Sequence, residues 1–425
     1  MLIAMILAAG KGTRMRSEIP KLLHPLLGEP LLGHVLEKVD ALGPGRKLAA
    51  TVVVVGHGRD EIRRAFDGRG ITWAIQESQL GTAHAVHCGM EALSGDLGGG
   101  GADVLVLNGD LPLLRRETLE ALLERHREER AEVTILTCRK SDPTGYGRII
   151  RGPDGRVTGI IEEKDATEAE RKMPEVNVGT YVFRAPAFRE FYERIDRRNA
   201  QGELYLTDVV VQAASAGKRV ATHEVSDDAE TAQVNSRSDM ARASALLRSR
   251  VLDEHMVAGV TIDDPATTYI EKGVRIGPDT RILPFTVIHR GVEIGKGCEV
   301  GPFAHLREGA RLADGASVGN FVEIKNTSLG RSTKVRHLSY LGDGIVGESV
   351  NIGAGTIFAN YDGKVKSTTV VKNGAFVGSG TVLVAPVTVG EKAITGAGSV
   401  VLKNQDVPDG AVVAGVPARP IRRKT

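Results

Sequence analysis

The sequence predicts two unlike folds in series, an α/β layer domain with a mixed, mainly parallel sheet and then a parallel β-helix. Three observations carry this. Short apolar runs alternate with amphipathic stretches in the first half, apolar residues recur every six positions in the second, and a polar helical segment separates them. In the first half, residues 2–7, 51–55, 103–107, 133–137 and 181–183 read as strands, and 31–42 and 118–127 as helices. Strands alternating with helices at this spacing imply parallel pairing with helices on the sheet faces. Ligands of such sheets sit beyond the carboxyl ends of strands, so the loops after Leu7 and Leu107 should converge. Residues 236–258 carry Met240, Leu247 and Val251 at helical spacing, and Gly259 stops them, which predicts a linker helix.

The six-residue row is long. It runs Ile276, Ile282, Ile288, Ile294, Val300, Leu306, Leu312, Val318, Ile324, slips by one to Leu329, Val335, Leu341, and slips again to Val346, Ile352, Phe358. After a break it resumes at Val371, Val377, Leu383, Val389, Thr395 and Val401. Three short strands then make one coil, and each apolar residue stacks on its counterpart a coil later. A single coil cannot bury its own face, so the array stabilises itself by stacking. The break at 359–370, carrying NYDGKVK, reads as a loop extruded from a coil, where solenoids tend to place function.

Bulk properties exclude several classes. A chain of 425 residues exceeds one ordinary core. Net charge is +2 with 25% charged residues, against the basic excess of a dedicated nucleic-acid binder. No run of about 18 apolar residues offers a membrane span. The opening MLIAMILAAGKG lacks a basic n-region and reads as a buried strand, not a signal peptide. Cys88, Cys138 and Cys298 are odd in number and far apart, which fits a reducing, cytoplasmic setting and no disulfide framework.

The string LAAGKGTRM at 7–15 follows a strand and combines Gly10 and Gly12 with Lys11 and Arg14. Small residues let backbone N–H groups approach phosphate oxygens, and the cations offset their charge. It lacks the G-K-[ST] ending of a Walker loop and does not complete GxGxxG. A Gly-Lys-Gly turn alone is equally a plain tight turn; Pro20-Lys21 downstream makes the string more specific.

With that downstream PK, the string resembles the sugar-nucleotide pyrophosphorylases. QESQLGTAHAV, NGDLPLL, DPTGYGRI, GIIEEKDA, EVNVGTY, GELYLTD and VNSR narrow the match, and the repeat region adds VGNFVEIKN, HLSYLGD, NIGAGT and ANYDG. Together, from residue 1 to about 417, they are similar to the bifunctional N-acetylglucosamine-1-phosphate uridylyltransferase and glucosamine-1-phosphate N-acetyltransferase family. The resemblance implies a Rossmann-like nucleotidyltransferase domain over 1–235, a linker helix over 236–258, a left-handed β-helix acetyltransferase domain over 259–417 and a basic tail over 418–425. The hand comes from the resemblance alone, since crossovers between parallel strands are generally right-handed. Acetyl-CoA would acetylate glucosamine-1-phosphate, and UTP would then convert the N-acetylglucosamine-1-phosphate to UDP-N-acetylglucosamine, a cell-wall precursor.

The resemblance also assigns residues. Leu7, Ala8, Ala9, Gly10, Gln76, Gly81 and Thr82 would hold the nucleotide, with Arg14 and Lys21 catalytic at its phosphates. Asp110 and Asn235 would hold Mg²⁺, and Gly147, Glu162 and Asn177, with Asn235, the sugar phosphate. In the second site His337 would be the general base. Arg307, Glu323, Lys325, Tyr340, Asn351 and Lys366 would hold the sugar phosphate, and Ala354, Asn360, Tyr361, Ser379 and Ala397 acetyl-CoA. From the residues alone, Asp110 is equally a turn-forming Asp, Glu162 part of a solvated charge run and His337 a satisfied histidine. Three departures stand out: Asn108 where the family often has Tyr, a repeat region about one coil shorter before Gly301, and a short tail. In that tail Arg419, Arg422, Arg423 and Lys424 are candidates for a coenzyme A phosphate, against a frayed solvated terminus. A homotrimer is implied, with no nucleic-acid or membrane partner. Two other readings stay open: a pyrophosphorylase whose β-helix only trimerises it, and a glucose- or mannose-1-phosphate nucleotidyltransferase with a regulatory β-helix.

Overall fold

The structure, a computed structural model, describes residues 1–42, 48–93 and 101–421. It divides into two compact units, Met1–Leu246 and Leu247–Thr425. The first is organised by a sheet of β1 (Leu2–Ala8), β2 (Leu48–Val55), β3 (Ile71–Ile75), β4 (Asp103–Asn108), β5 (Val133–Arg139), β6 (Gly147–Arg151), β7 (Val157–Ile161), β8 (Glu175–Arg184) and β9 (Val220–Val225). Its order is β9-β5-β8-β4-β1-β2-β3, with β6 paired to β8 and β7. Along that path β8 alone is reversed, antiparallel to both β4 and β5, while β1 is parallel to β2 and β4. The sheet is therefore mixed and mainly parallel.

Apolar runs make the central strands: every residue of β1 but Leu7 is buried, as are Val52–Val55 of β2. Burial on both faces is what helices covering a parallel sheet require. Helices α1 (Leu31–Asp40), α2 (Thr82–Glu91), α3 (Arg116–Glu128) and α4 (Leu206–Ser215) flank it. Of these, α2 and α4 are additional to the sequence expectation, as are β3, β6, β7 and β9. The strand expected at 181–183 is the end of the longer β8, whose pairing with β5 shifts between Asn177 and Tyr181.

Helix α5 (Arg237–Val257) coincides within a residue of the predicted linker helix, and the division between the units falls inside it. Its start is fixed by Asp239, whose carboxylate accepts from the backbone N–H of Asn235 at 3.1 Å and of Ser236 at 2.8 Å. Ser236 Oγ accepts in return from Asp239 N–H at 3.2 Å, a reciprocal cap.

The second unit is a parallel β-helix built on three ladders of two- to four-residue strands. Ile282, Val300, Val318, Val335, Ile352, Val377 and Thr395 pair in succession down one ladder. Ile288, Leu306, Ile324 and Leu341 do so down the second, and Ile294, Leu312, Leu329 and Val346 down the third. The one-residue slips shorten a coil without breaking register. A second buried row lies two residues before the first, as at Thr280, Thr286, Ala304, Ala310, Ala316, Thr333 and Thr381. Such small side chains let facing ladders approach, and the threonine hydroxyls donate to backbone carbonyls, as Thr333 does to Gly347 at 2.6 Å. Cys298 sits in the same row, and all three cysteines are free. Among the described residues no helix is long and apolar enough to cross a membrane.

Candidate active sites

Beyond the carboxyl ends of β1 and β4 the first unit opens a cavity of about 650 Å³, lined by Leu7–Lys11, Lys21, Gln76, Gly81, Thr82, Asn108 and Asp110. A neighbouring cavity of about 210 Å³ shares Leu7, Thr82 and Asn108 and adds Gly147, Glu162 and Asn177. The nucleotide and sugar candidates of the first unit thus meet in adjoining cavities where the switch between β1 and β4 leaves room.

Three segments converge on one cluster. Lys21 Nζ donates to Asp110 Oδ2 at 2.6 Å and to Asn235 Oδ1 at 3.1 Å. The pair is largely enclosed, with side chains 12% and 15% exposed, so its attraction is weakly screened. Asp110 Oδ1 is buried without a hydrogen-bond partner. An ionised oxygen left bare in this way costs free energy unless a cation or donor meets it. Val234 N–H donates to the Asp110 carbonyl at 3.0 Å, which sets Asn235 beside the carboxylate. Arg14 is exposed in the 3₁₀ turn Thr13–Met15, outside both cavity linings. That turn is held by Arg237, whose Nε donates to the Met15 carbonyl at 3.3 Å.

Two glycines shape the cavity. At Gly81, φ is 120° and a Cβ would lie 2.4 Å from the Leu204 carbonyl oxygen. Its own carbonyl accepts from Gln76 Nε2 at 3.0 Å, which fixes that buried amide. Gly81→Ala is therefore expected to destabilise this unit by about 1–3 kcal/mol, read as a lower midpoint in thermal unfolding. Gly179, at φ 82°, stands against Asn108 Nδ2 in the irregular stretch of β8. That irregularity turns Asn177 into the cavity, where its Nδ2 donates to the Tyr181 hydroxyl at 2.6 Å.

Glu162 accepts from the Thr207 hydroxyl at 3.1 Å, and burial pushes its carboxyl above the usual range. Next to Thr207, burial likewise raises Asp208 to about 6, with Asp165 and Asp196 adding repulsion. Folded Asp208 thus holds its proton more tightly than the unfolded chain does. Its penalty is absent below about pH 4, grows as pH rises and is full above about 6. Asp208→Asn should stabilise the protein at pH 8 by about 1 kcal/mol, allowing for half-exposure, and the gain should vanish by pH 4. Thermal melts across that range check it.

In the β-helix one column collects the second set. Asn320 pairs with His337, Gly355 N–H donates to the His337 carbonyl, Gly380 N–H to that of Ala354 and Gly398 N–H to that of Ser379. Asn320, His337, Ala354, Ser379 and Ala397 therefore rise along one edge, two residues past the buried row. His337 is exposed, and its Nδ1 lies 3.0 Å from Asn320 Oδ1. An amide oxygen only accepts, so the contact suits the tautomer with the proton on Nδ1, in which Nε2 is the ring's acceptor. Asn320 is a residue the sequence reading passed over, although VGNF contains it.

Around the corner, on the second ladder, Arg307, Lys325 and Tyr340 sit on successive coils, and Arg307 donates to Glu323 Oε1 at 2.7 Å. Lys366, on the inserted loop, comes against Lys325 and, with Arg307, lowers the Lys325 ammonium below its usual value. Positive charge therefore gathers at this corner of the coil. A Cβ at Gly342 would meet the Tyr340 hydroxyl at 2.5 Å and Asn360 Nδ2 at 2.8 Å, so the glycine makes room for both. Tyr361 is exposed on the loop. Asn351 stands apart from this group, on the first ladder between Lys334 and Phe376. Of the tail candidates, Arg419 is exposed in a two-residue strand antiparallel to Val413–Ala414. Arg422, Arg423 and Lys424 lie outside the described residues.

Comparison with known proteins agrees with both halves. The MobA-like NTP transferase domain family matches residues 4–173, and the bacterial transferase hexapeptide family matches 267–301 and 291–326. The chain is 45% identical to the bifunctional protein GlmU of Exiguobacterium sp., over 96% of each chain. It is 44% identical to the GlmU protein of Mycolicibacterium gilvum, over 98% of this chain and 90% of the relative. With that of Bacillus velezensis it shares 42%, over 99% and 97%. On this similarity, which spans the cavity beyond β1 and the His337 column alike, the chain belongs to the bifunctional GlmU family of transferases.

Proposed function

We propose that this chain makes UDP-N-acetylglucosamine in two steps at two separate sites. The observation that carries the reading is the pair of independently built polar centres on one chain. One is Lys21–Asp110–Asn235 beside the glycine loop; the other is His337–Asn320 on the first ladder of the β-helix, with Arg307 and Lys325 around the corner on the second and Lys366 on the inserted loop.

In the β-helix the phosphate of glucosamine-1-phosphate binds Arg307, Lys325 and Lys366. The sugar amine attacks the acetyl-CoA thioester carbonyl, the new N–C bond forms and the C–S bond breaks. His337 Nε2 takes the ammonium proton, with Nδ1–H anchored on Asn320 so that the lone pair faces outward. Acetyl-CoA runs past Ala354, Ser379 and Ala397, with Asn360 and Tyr361 at the loop. In the α/β unit a phosphate oxygen of N-acetylglucosamine-1-phosphate attacks the α-phosphorus of UTP and pyrophosphate leaves. Two anions must meet there, so Arg14 and Lys21 offset charge while Leu7–Gly10, Gln76, Gly81 and Thr82 hold the nucleotide. Gly147, Glu162 and Asn177 hold the sugar.

Mg²⁺ fits the bare Asp110 Oδ1 with Asn235 beside it; bound, it supplies positive charge to the triphosphate. Among the described residues no group of three or more His, Cys, Asp or Glu gathers to hold a metal. Few protein ligands plus substrate phosphates is the usual mode for Mg²⁺. We place the enzyme in the cytoplasm as a homotrimer. Incubation with acetyl-CoA and glucosamine-1-phosphate, following free thiol, tests the first activity. No thiol release, with UDP-N-acetylglucosamine still formed from the pre-acetylated sugar, would reduce the chain to a pyrophosphorylase.

A further inference from the structure

The break in the repeat row is a small hairpin closed on itself. Ser367 N–H donates to the Asn360 carbonyl at 2.8 Å, Tyr361 bridges Lys366, and Asp362 Oδ1 accepts from Lys364 and Val365 N–H at 3.0 and 2.8 Å. Its flanks, Ile357–Ala359 and Thr369–Val371, lie in the ladders, and Asn360, where the chain leaves them, is held to the preceding coil by Asp343. Asp343 Oδ2 accepts from Asn360 Nδ2 at 2.5 Å, at the start of the hairpin. The Asp343 carbonyl accepts from Thr369 N–H at 3.2 Å, just past its end. The other carboxylate oxygen accepts from Asn326 Nδ2 at 2.7 Å, and Asp343 N–H donates to the Lys325 carbonyl at 3.1 Å. Asp343 itself sits at φ 51°, in a tight corner of the coil.

We infer that Asp343 is a positioning residue for acetyl transfer: its carboxylate clasps the Asn360 end of the inserted hairpin, while its backbone carbonyl takes the bond from Thr369 at the other end, and so Asn360 and Lys366 are set against Lys325. This rests on the two-site reading above. Asp343 does not need to touch substrate. It acts through the hairpin, whose exposed tip would otherwise hang on Asn360–Ser367 and an exposed Lys403–Asp362 contact at 3.5 Å. Bringing Lys325 and Lys366 together is repulsive, so something must hold the loop there before an anionic substrate arrives. Charge-assisted hydrogen bonds from two amides to one carboxylate do so.

A plain counter-charge would behave differently, and the two roles predict opposite signs. Removing a negative charge beside three cations should tighten phosphate binding if Asp343 only offsets them. Removing the clasp should loosen it. Asp343→Ala in the full-length protein, which removes the charge and also the acceptor for Asn360, is expected to raise KM for glucosamine-1-phosphate and lower kcat for thiol release, together about 10- to 100-fold. Trypsin cleavage after Lys364 and Lys366 should speed up about tenfold, and uridylyl transfer should stay at the wild-type rate. The double variant Asp343→Asn with Asn360→Asp exchanges the amide and the carboxylate between the two positions. The amide of the first substitution can accept from Asn326 and donate to the carboxylate of the second, so the clasp is restored with donor and acceptor swapped. That double variant should recover trypsin resistance. A lowered KM in Asp343→Ala, or unchanged KM and proteolysis, overturns the proposal. Absence of thiol release from the wild-type protein would sink the acetyl-transfer reading instead, while the proteolysis comparison would still decide whether Asp343 clasps the hairpin.

Discussion

His337→Ala should abolish thiol release from acetyl-CoA in the presence of glucosamine-1-phosphate, while conversion of UTP and N-acetylglucosamine-1-phosphate continues at the wild-type rate. A positioned general base contributes about 10²–10⁴-fold, and that range is the expected fall in kcat. The side chain is exposed at a corner and packs into no core, so the substitution should leave the fold intact. Asn320→Ala should fall between wild type and His337→Ala, because the imidazole then loses the partner that fixes its tautomer. Parallel assays of thiol release and pyrophosphate production check both. If His337→Ala released thiol at the wild-type rate, the base would have to be sought elsewhere.

Asp110→Ala should give the mirror image, with pyrophosphate production lost and thiol release kept. The expected fall is at least about 10²-fold, the scale of losing one charged stabiliser in a preorganised site. The carboxylate has two distinct oxygens: Oδ2 holds Lys21, and Oδ1, buried without a hydrogen-bond partner, is the one proposed to meet Mg²⁺. Asp110→Asn should therefore also be inactive, although it preserves volume, because the amide offers Lys21 a weaker partner and gives a divalent ion no charge. Activity of Asp110→Asn restored merely by raising Mg²⁺ would indicate that the carboxylate tunes affinity alone. Loss of both activities in either Asp110→Ala or His337→Ala would sink the two-site model.

The β-helix was legible because its signal is a period, and the buried row repeats that period coil after coil. What escaped was the row of small residues two positions earlier. Thr280, Ala304 and Ala310 are as buried as the isoleucines, yet none looks like a core residue in a sequence. In the first unit, β1, β2 and β4 announced themselves by continuous apolar runs. Helix α2, TAHAVHCGME, did not, since its buried face is Ala83, Ala85, Val86, Gly89 and Met90 and lacks leucine. Strand β8 was seen only at its end because Gly179 and an irregular pairing interrupt the alternation that marks a strand. The motifs carried the site candidates, but not their partners. Asn320 reaches His337 across 17 positions because the row slips at Leu329, and Asp343 meets Asn360 across another 17. Contacts made between coils leave no local trace in a sequence.

The ladder arrangement also makes length a free parameter of the second unit. Each coil bonds to the one before and the one after, and the residues around His337 occupy the consecutive coils from Arg307 to Ala397. Deleting one whole coil ahead of them, such as 18 residues from within 263–298, would rejoin equivalent strands and preserve every spacing downstream. Deleting five or six would rotate the next ladder into the wrong face. A repeat region one coil shorter ahead of Gly301 is thus the kind of change this architecture would absorb, much as a stack of plates loses one from the bottom without disturbing those above.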